Sequence, residues 1–173
     1  CSQVKPVEEL ATSQTSILLV KGEDRRFIHV FGANRAFAVE LVDREWVAGL
    51  KAFYVGGLFA MPNFHCEQLA ELLRFCQSRG VLTVVDVVAP QGMDDFGDLQ
   101  RCLPYIDYFL PNDDEAEQIT GQANPVDQAR SFRDMGVGTT IITLGDQGAI
   151  ALQGNKLWRA DVFEFDLVDP TGC

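Results

Sequence analysis

Histidine is scarce in this sequence, basic residues are outnumbered, and no long apolar run is present. His29 and His65 are the only histidines and lie far apart, which gives little support to a His-based metal site. The five cysteines, Cys1, Cys66, Cys76, Cys102 and Cys173, are odd in number, and their spacing matches neither a zinc motif nor a dense disulfide framework. They are expected to be reduced thiols in a cytoplasmic protein. Fourteen Lys and Arg stand against twenty-five Asp and Glu, a formal charge of -11. A field of that sign repels a phosphate backbone, so no nucleic-acid partner is expected, although backbone N–H groups can still hold a small phosphorylated ligand. No apolar run approaches about eighteen residues and no signal-peptide pattern opens the chain, so no membrane partner is expected either. Neither G-x-G-x-x-G nor G-x-x-x-x-G-K-[ST] occurs, so a nucleotide site would need chemistry other than a Rossmann or Walker loop.

What the sequence does contain is an ordinary globular composition, 47% hydrophobic and 23% charged over 173 residues, enough for one α/β core or a core with a small appendage. Thr15 to Val20 reads as a strand, Lys21 to Asp24 as turn residues, and Arg26 to Phe31 as the returning strand. Apolar groups on both faces of the second strand suggest a hairpin that covers something. Beyond Ala38 a strand–helix rhythm sets in. Ala52 to Val55 is a strand that runs into Gly56-Gly57, and Asn63 can cap a helix to about Ser78 with Leu69, Leu72, Leu73 and Cys76 as its buried stripe. Val81 to Val88 has the apolar, β-branched pattern of a strand covered on both faces, and Tyr105 to Leu110 is a further strand. A helix is expected from near Asn112 to before Gly121, and another from Asn124-Pro125 to near Gly136. Thr139 to Leu144 is the next buried strand, and residues 149–163 read as a hairpin around Gly154-Asn155. The alternation predicts right-handed βαβ units around a mostly parallel sheet. Ligands of such sheets meet residues just beyond the strand C-termini, which singles out Asn112 to Glu115, Thr143 to Gly148 and Asp169 to Cys173.

Those stretches carry a resemblance. Pro111-Asn112-Asp113-Asp114-Glu115 resembles the Asn-x-x-Glu segment of the ribokinase-like (PfkB) sugar and nucleoside kinases. Thr143-Leu144-Gly145-Asp146-Gln147-Gly148 resembles their Thr-x-Gly-x-x-Gly nucleotide segment. Val168 to Cys173 looks like the beginning of their Asp-Thr/Pro-Thr-Gly-Ala/Cys-Gly-Asp signature, and the early hairpin ending in Gly32-Ala33-Asn34 resembles part of their lid. The four signals follow the family order. The resemblance implies a three-layer α/β/α core over 38–173, preceded by part of a β-rich lid over 1–37. It implies an ATP-dependent transfer of the γ-phosphoryl group to a hydroxyl of a sugar or related small polyol, with Mg2+ as cofactor and a possible homodimer through the lid strands.

By resemblance, Asn112 and Glu115 join a magnesium-linked water network beside the ATP phosphates. Their plain alternative is a helix cap and a helix-end charge, and the two roles are compatible. Thr143 and Gly145 are expected at the nucleotide and Gly148 in keeping its loop compact, although a tight strand-to-hairpin connection would explain all three. Gly172 and Cys173 would supply the first part of an anion hole, with Asp169 on the phosphate side. The general-base Asp that follows in the family has no counterpart up to Cys173. On the acceptor side Phe27, His29, Phe31 and Asn34 of the lid are candidates. Asp86, near a strand end, is a further one, with a structural loop role equally open. Gly56-Gly57 offers no polar side chain where some relatives place a sugar contact. A start on Cys and an end on Thr-Gly-Cys lead to the expectation of an internal piece of a longer sequence, inactive alone. A nucleoside, vitamin or phosphosugar kinase of the same fold, or a noncatalytic binding protein if Cys173 is the natural end, are the alternatives.

Overall fold

Short apolar runs in the first thirty or so positions pair as two strands that form their own sheet, while the turn expected at Lys21 to Asp24 lies outside the described residues. The structure, a computed structural model, describes residues 3–4, 6–20, 26–89 and 96–163. Strand β1 (Gln14–Leu18) pairs antiparallel with β2 (Arg26–Val30), with Gln14 opposite Val30 and Leu18 opposite Arg26. Both strands are a little shorter than expected, and every residue in them is exposed. Phe27 and Ile28, on opposite faces, are each 59% exposed, so among the described residues the hairpin covers nothing. It is anchored at its base: Gly32 has φ +48°, and a Cβ there would meet Ala11 O at 2.3 Å. Only glycine fits that close approach, which lets Ala33 N–H donate to Ala11 O at 2.8 Å.

From Ala38 onward the expected alternation appears. Helix α1 (Arg44–Ala48) is capped by Asp43, whose carboxylate accepts from the N–H groups of Glu45 and Trp46. Next come β3 (Ala52–Val55), α2 (Cys66–Ser78), β4 (Leu82–Val85), β5 (Tyr108–Phe109), α3 (Asp113–Thr120), α4 (Pro125–Asp134) and β6 (Thr139–Thr143). Strands β7 (Ala149–Gln153) and β8 (Lys156–Ala160) form the final hairpin. These strands make one sheet of order β3-β4-β5-β6-β7-β8. It is parallel as far as β6 and antiparallel for the last two pairings.

One helix start differs from expectation. Asn63 does not cap α2, which begins at Cys66 behind His65 without a side-chain cap. A turn closed by Phe64 N–H on Met61 O separates Asn63 from the helix, and the Asn63 amide instead donates to Arg35 O. That bond ties the segment leaving the hairpin to the core. The strands read as Val81 to Val88 and Tyr105 to Leu110 are cut to Leu82–Val85 and Tyr108–Phe109. Pro104 sits in a 3-10 turn, Leu103–Tyr105, that removes the start of β5. Beyond Val85 the bond from Asp86 N–H to Val55 O ends the pairing of β4 with β3.

One face of the sheet is packed. Phe53, Val55, Val85, Phe109, Ile142 and Ile150 share a core with Leu69, Leu72 and Leu73 of α2, Ala116 of α3 and Phe132 of α4. The rings of Phe109 and Phe132 meet edge-on, 4.9 Å apart. Such a pair adds about 0.5–1.5 kcal/mol beyond the burial of each ring. Thr83 locks β4 against the approach to β5: its N–H donates to Asp107 Oδ2 at 2.8 Å, and its hydroxyl accepts from Asp107 N–H at 3.0 Å. On the opposite face Tyr54 is 59% and Leu82 41% exposed. The double-sided cover read from the apolar run at Val81 to Val88 is therefore single-sided among the described residues. Among them, too, Cys66, Cys76 and Cys102 are free thiols, and no helix is long and apolar enough to cross a membrane.

Candidate active site

Parallel strands deliver their C-terminal ends to a common edge, and three of the expected residues meet there. Asn112 follows β5 and begins α3. Its side-chain oxygen accepts from Glu115 N–H at 2.8 Å, while Glu115 Oε2 accepts from Asn112 N–H at 2.9 Å. This reciprocal capping box satisfies two helix-end donors and places Asp113, Asp114 and Glu115 in the first turn, where the helix dipole favours negative charge. Next door, Asn112 forms a parallel bridge with Thr143 at the end of β6, and Thr143 N–H donates to Pro111 O at 3.3 Å. The expected Asn–Glu segment and the expected Thr-x-Gly segment are thus one continuous piece of surface.

The two glycines after β6 differ in what they do. At Gly148, φ is +88° and a Cβ would lie 2.0 Å from Ala160 O, so this glycine lets the β7–β8 hairpin close. Gly145, at φ +57°, has nothing within 4 Å of its absent Cβ and leaves open space beside Thr143. Leu144 N–H donates to Gly148 O at 2.8 Å and holds the loop shut.

Glu115 reaches a third strand end. Its Oε1 accepts from Ala89 N–H at 3.3 Å, in the segment that follows β4 and Asp86. Burial raises the Glu115 pKa above the ordinary carboxylate value; the bonds from Asn112 and Ala89 oppose that shift, and the charges of Asp86 and Asp114 add to it. Asp86 is likewise raised, chiefly by desolvation, against hydrogen bonds from Gly57, Tyr54 and Val87. Two carboxylates that both resist ionisation are a setting a divalent cation would relieve. Among the described residues no group of three or more His, Cys, Asp or Glu side chains could hold a metal directly. A cation held through water by the Asn112 and Glu115 oxygens fits this donor set.

Tyr54 was not singled out in the sequence, yet its hydroxyl donates to Asp86 Oδ2 at 3.3 Å. The available signal was its position in β3, two residues before Gly56 and therefore on the same face. The lid candidates form a separate group. Thr15 Oγ1 and His29 Nδ1 are hydrogen-bonded at 2.7 Å, and His29 meets Phe31 edge-on at 4.9 Å. Asn34 Oδ1 accepts from Ser13 Oγ at 3.2 Å at the hairpin base, and Phe27 is exposed on β2. Among the described residues none of these side chains is hydrogen-bonded to Asn112, Glu115 or Thr143. Asp169, Gly172 and Cys173 lie outside the described residues.

This fold is the ribokinase-like one that solved ribokinases share. The profile of the pfkB family carbohydrate kinases matches residues 1–173, and the chain belongs to that family. An ATP-dependent 6-phosphofructokinase from Thermoanaerobacterium thermosaccharolyticum is 30% identical over 99% of this chain and 55% of its own length. A ribokinase from Staphylococcus aureus is 25% identical over 99% of this chain and 56% of its own. The fold is shared with the crystal structure of an Arabidopsis thaliana ribokinase complexed with ribose and ATP. That structure has 21% identity and a TM-score of 0.73, covering 94% of this chain and 53% of that one. The chain spans about half the length of the curated relatives it matches.

Proposed function

We propose that the protein containing this chain transfers the γ-phosphoryl group of ATP to a hydroxyl of a sugar or related small polyol. In this reading residues 38–173 contribute part of the nucleotide-binding core and residues 1–37 part of a lid. The observation that carries it is the joining of the Asn112–Glu115 capping box to Thr143 across β5 and β6, with open space at Gly145. Backbone at Thr143 and Gly145 suits the close approach of a nucleotide, and the start of α3 suits an assembly of phosphates with a bound cation. Asn112 and Glu115 would hold Mg2+ through water, and the ion would offset phosphate charge during transfer. Lid residues Phe27, His29 and Phe31 would cover the acceptor and keep water out.

Apolar residues on both faces of the hairpin, Ile17, Leu18, Phe27 and Ile28 among them, support pairing with the hairpin of a second copy. Dimer dissociation on placing a charge at Ile28 would be read by sedimentation. No residue of this sequence matches the family's general-base Asp, so a polypeptide of this sequence alone is expected to be inactive. Loss of general-base assistance typically reduces rate by about 10²–10⁴-fold. The test compares ATP-dependent phosphorylation of free sugars, polyols and nucleosides by the full-length protein and by this chain alone. Turnover of sugars by the full-length protein only is expected. Dominant turnover of nucleosides, or equal turnover by the two polypeptides, would overturn the reading.

A further inference from the structure

Tyr54, Gly57 and Asp86 form a group at the C-terminal edge of β3 and β4 beside the nucleotide-side residues. The Tyr54 hydroxyl and the Gly57 N–H both donate to Asp86 Oδ2, each at 3.3 Å. Strand register enforces this meeting. Tyr54 lies opposite Val84, so Tyr54 with Gly56 and Val84 with Asp86 follow the same side of the sheet. A Cβ on Gly56 would lie 2.9 Å from Cε1 of Tyr54 and 3.1 Å from its hydroxyl. The Tyr54 ring therefore occupies the space that a side chain at position 56 would need. Main-chain bonds fix Asp86 as well, from its N–H to Val55 O at 2.8 Å and from Leu58 N–H to its carbonyl at 3.0 Å.

We infer that Asp86 receives uncharged hydroxyl groups of the acceptor and that Tyr54 is the residue that positions it, so that the acceptor end lying here is a neutral polyol and not a phosphate or carboxylate. The inference rests on the kinase reading above for the word acceptor, and on the Tyr54–Asp86 geometry for the rest. An ionised carboxylate offers about four acceptor positions, and a phenol that donates its proton still keeps oxygen lone pairs. Such a pair looks for O–H donors. An anionic group would instead meet the Asp86 carboxylate and, beside Ala89 three residues along the chain, that of Glu115. Among the described residues neither carboxylate has an ion-pair partner to soften that repulsion. Like charges brought together at a binding surface repel strongly enough to choose between a sugar and its phosphate.

The test uses the full-length protein, with calorimetric binding of free sugars and of their phosphate esters run beside steady-state kinetics. Tyr54→Phe keeps the ring over Gly56 and removes only the hydroxyl. It is expected to raise the acceptor KM and Kd by about 3- to 10-fold, the loss of one hydrogen bond, with the KM for ATP and the melting temperature unchanged. Asp86→Asn is expected to weaken neutral acceptors more strongly while narrowing the gap between each sugar and its phosphate. Preference of the unmodified protein for the phosphate ester would overturn the inference, as would variants that shift only the KM for ATP. Polyol binding that both variants weaken, in a protein that phosphorylates none of the polyols, would uphold this site and reject the kinase reading. Phosphorylation with an acceptor KM indifferent to both variants would do the reverse, and absence of both binding and turnover would reject the two together.

Discussion

Replacing Glu115 with Gln tests whether that carboxylate is held against its preference for water. Gln has the same shape and only one acceptor oxygen. That oxygen will keep the shorter bond, 2.9 Å from Asn112 N–H, and the amide NH2 will then face Ala89 N–H, now 3.3 Å from Glu115 Oε1. A donor facing a donor leaves a part-buried N–H unsatisfied, for which about 1–3 kcal/mol is typical; the long starting bond places this case near about 1 kcal/mol. The substitution also removes a carboxyl group whose ionisation is disfavoured by burial. The folded pKa lies above the ordinary 4.5. Stability contributed by this group is complete below that value and is lost as pH rises through the folded pKa. Gln cannot titrate, so the gap between the two proteins should be largest in mild acid and close as pH rises. Urea unfolding of the full-length protein at several pH values reads this directly. A deficit of about 1 kcal/mol is a midpoint shift of about 0.3–1 M for slopes of about 1–3 kcal/mol per molar. A gap that widens with pH would mean that the fold favours the ionised carboxylate, and the account of Glu115 as a desolvated acid would fail.

Gly148→Ala should destabilise by well over about 2 kcal/mol, since it adds the strain of a glycine-only backbone (φ 88°, ψ -130°), about 1–3 kcal/mol, to a clash 2.0 Å from Ala160 O; Gly145→Ala, with open space, should show only left-handed strain of about 1–2 kcal/mol when melting temperatures are compared. Asn112→Ala removes the acceptor for Glu115 N–H and should lower stability by about 1 kcal/mol while raising the KM for magnesium-bound ATP; an unchanged KM would separate cap from site. Thr83→Val keeps the shape but deletes the hydroxyl that donates to Tyr105 O at 2.7 Å, while Asp107 N–H keeps Thr83 O at 3.1 Å, so denaturant unfolding should show a loss of about 1–3 kcal/mol.

Elements whose ends carry their own chemistry were legible in the sequence. Asn112 and Gly121 bound α3 as expected because the side chain of one and the left-handed backbone of the other act within a few residues. Asn124-Pro125 likewise opened α4. Asn63 misled because the chain makes a further turn there, closed by Phe64 N–H on Met61 O, so the helix starts at Cys66 and the cap position falls on His65. The apolar runs at 81–88 and 105–110 overstated β4 and β5 for a related reason. Hydrophobicity reports burial, whereas a ladder needs a neighbour at the right register, and Pro104 with the departure after Asp86 removes it.

The site was legible where it is built from contiguous motifs and illegible where it is built across strands. Asn112 and Glu115 stand three residues apart and satisfy one another, so their pattern could be read in one dimension. Their junction with Thr143 depends on β5 and β6 being neighbours, a matter of topology that right-handed crossovers predict only once the elements are correct. Tyr54 and Asp86, thirty-two residues apart, meet because a parallel register sets Tyr54 beside Val84 and period two carries the chain from Val84 to Asp86. Alternation alone could put Tyr54 on a face, but choosing its partner required knowing which strand lies alongside and how far it is shifted. A one-residue slip in that register would turn Asp86 to the opposite face and leave the Tyr54 hydroxyl without its carboxylate. The bond from Asp86 N–H to Val55 O and that from Leu58 N–H to Asp86 O exclude the slip. The Tyr54–Asp86 pair thus depends on the β3–β4 register as directly as the Asn112–Glu115 pair depends on the cap of α3.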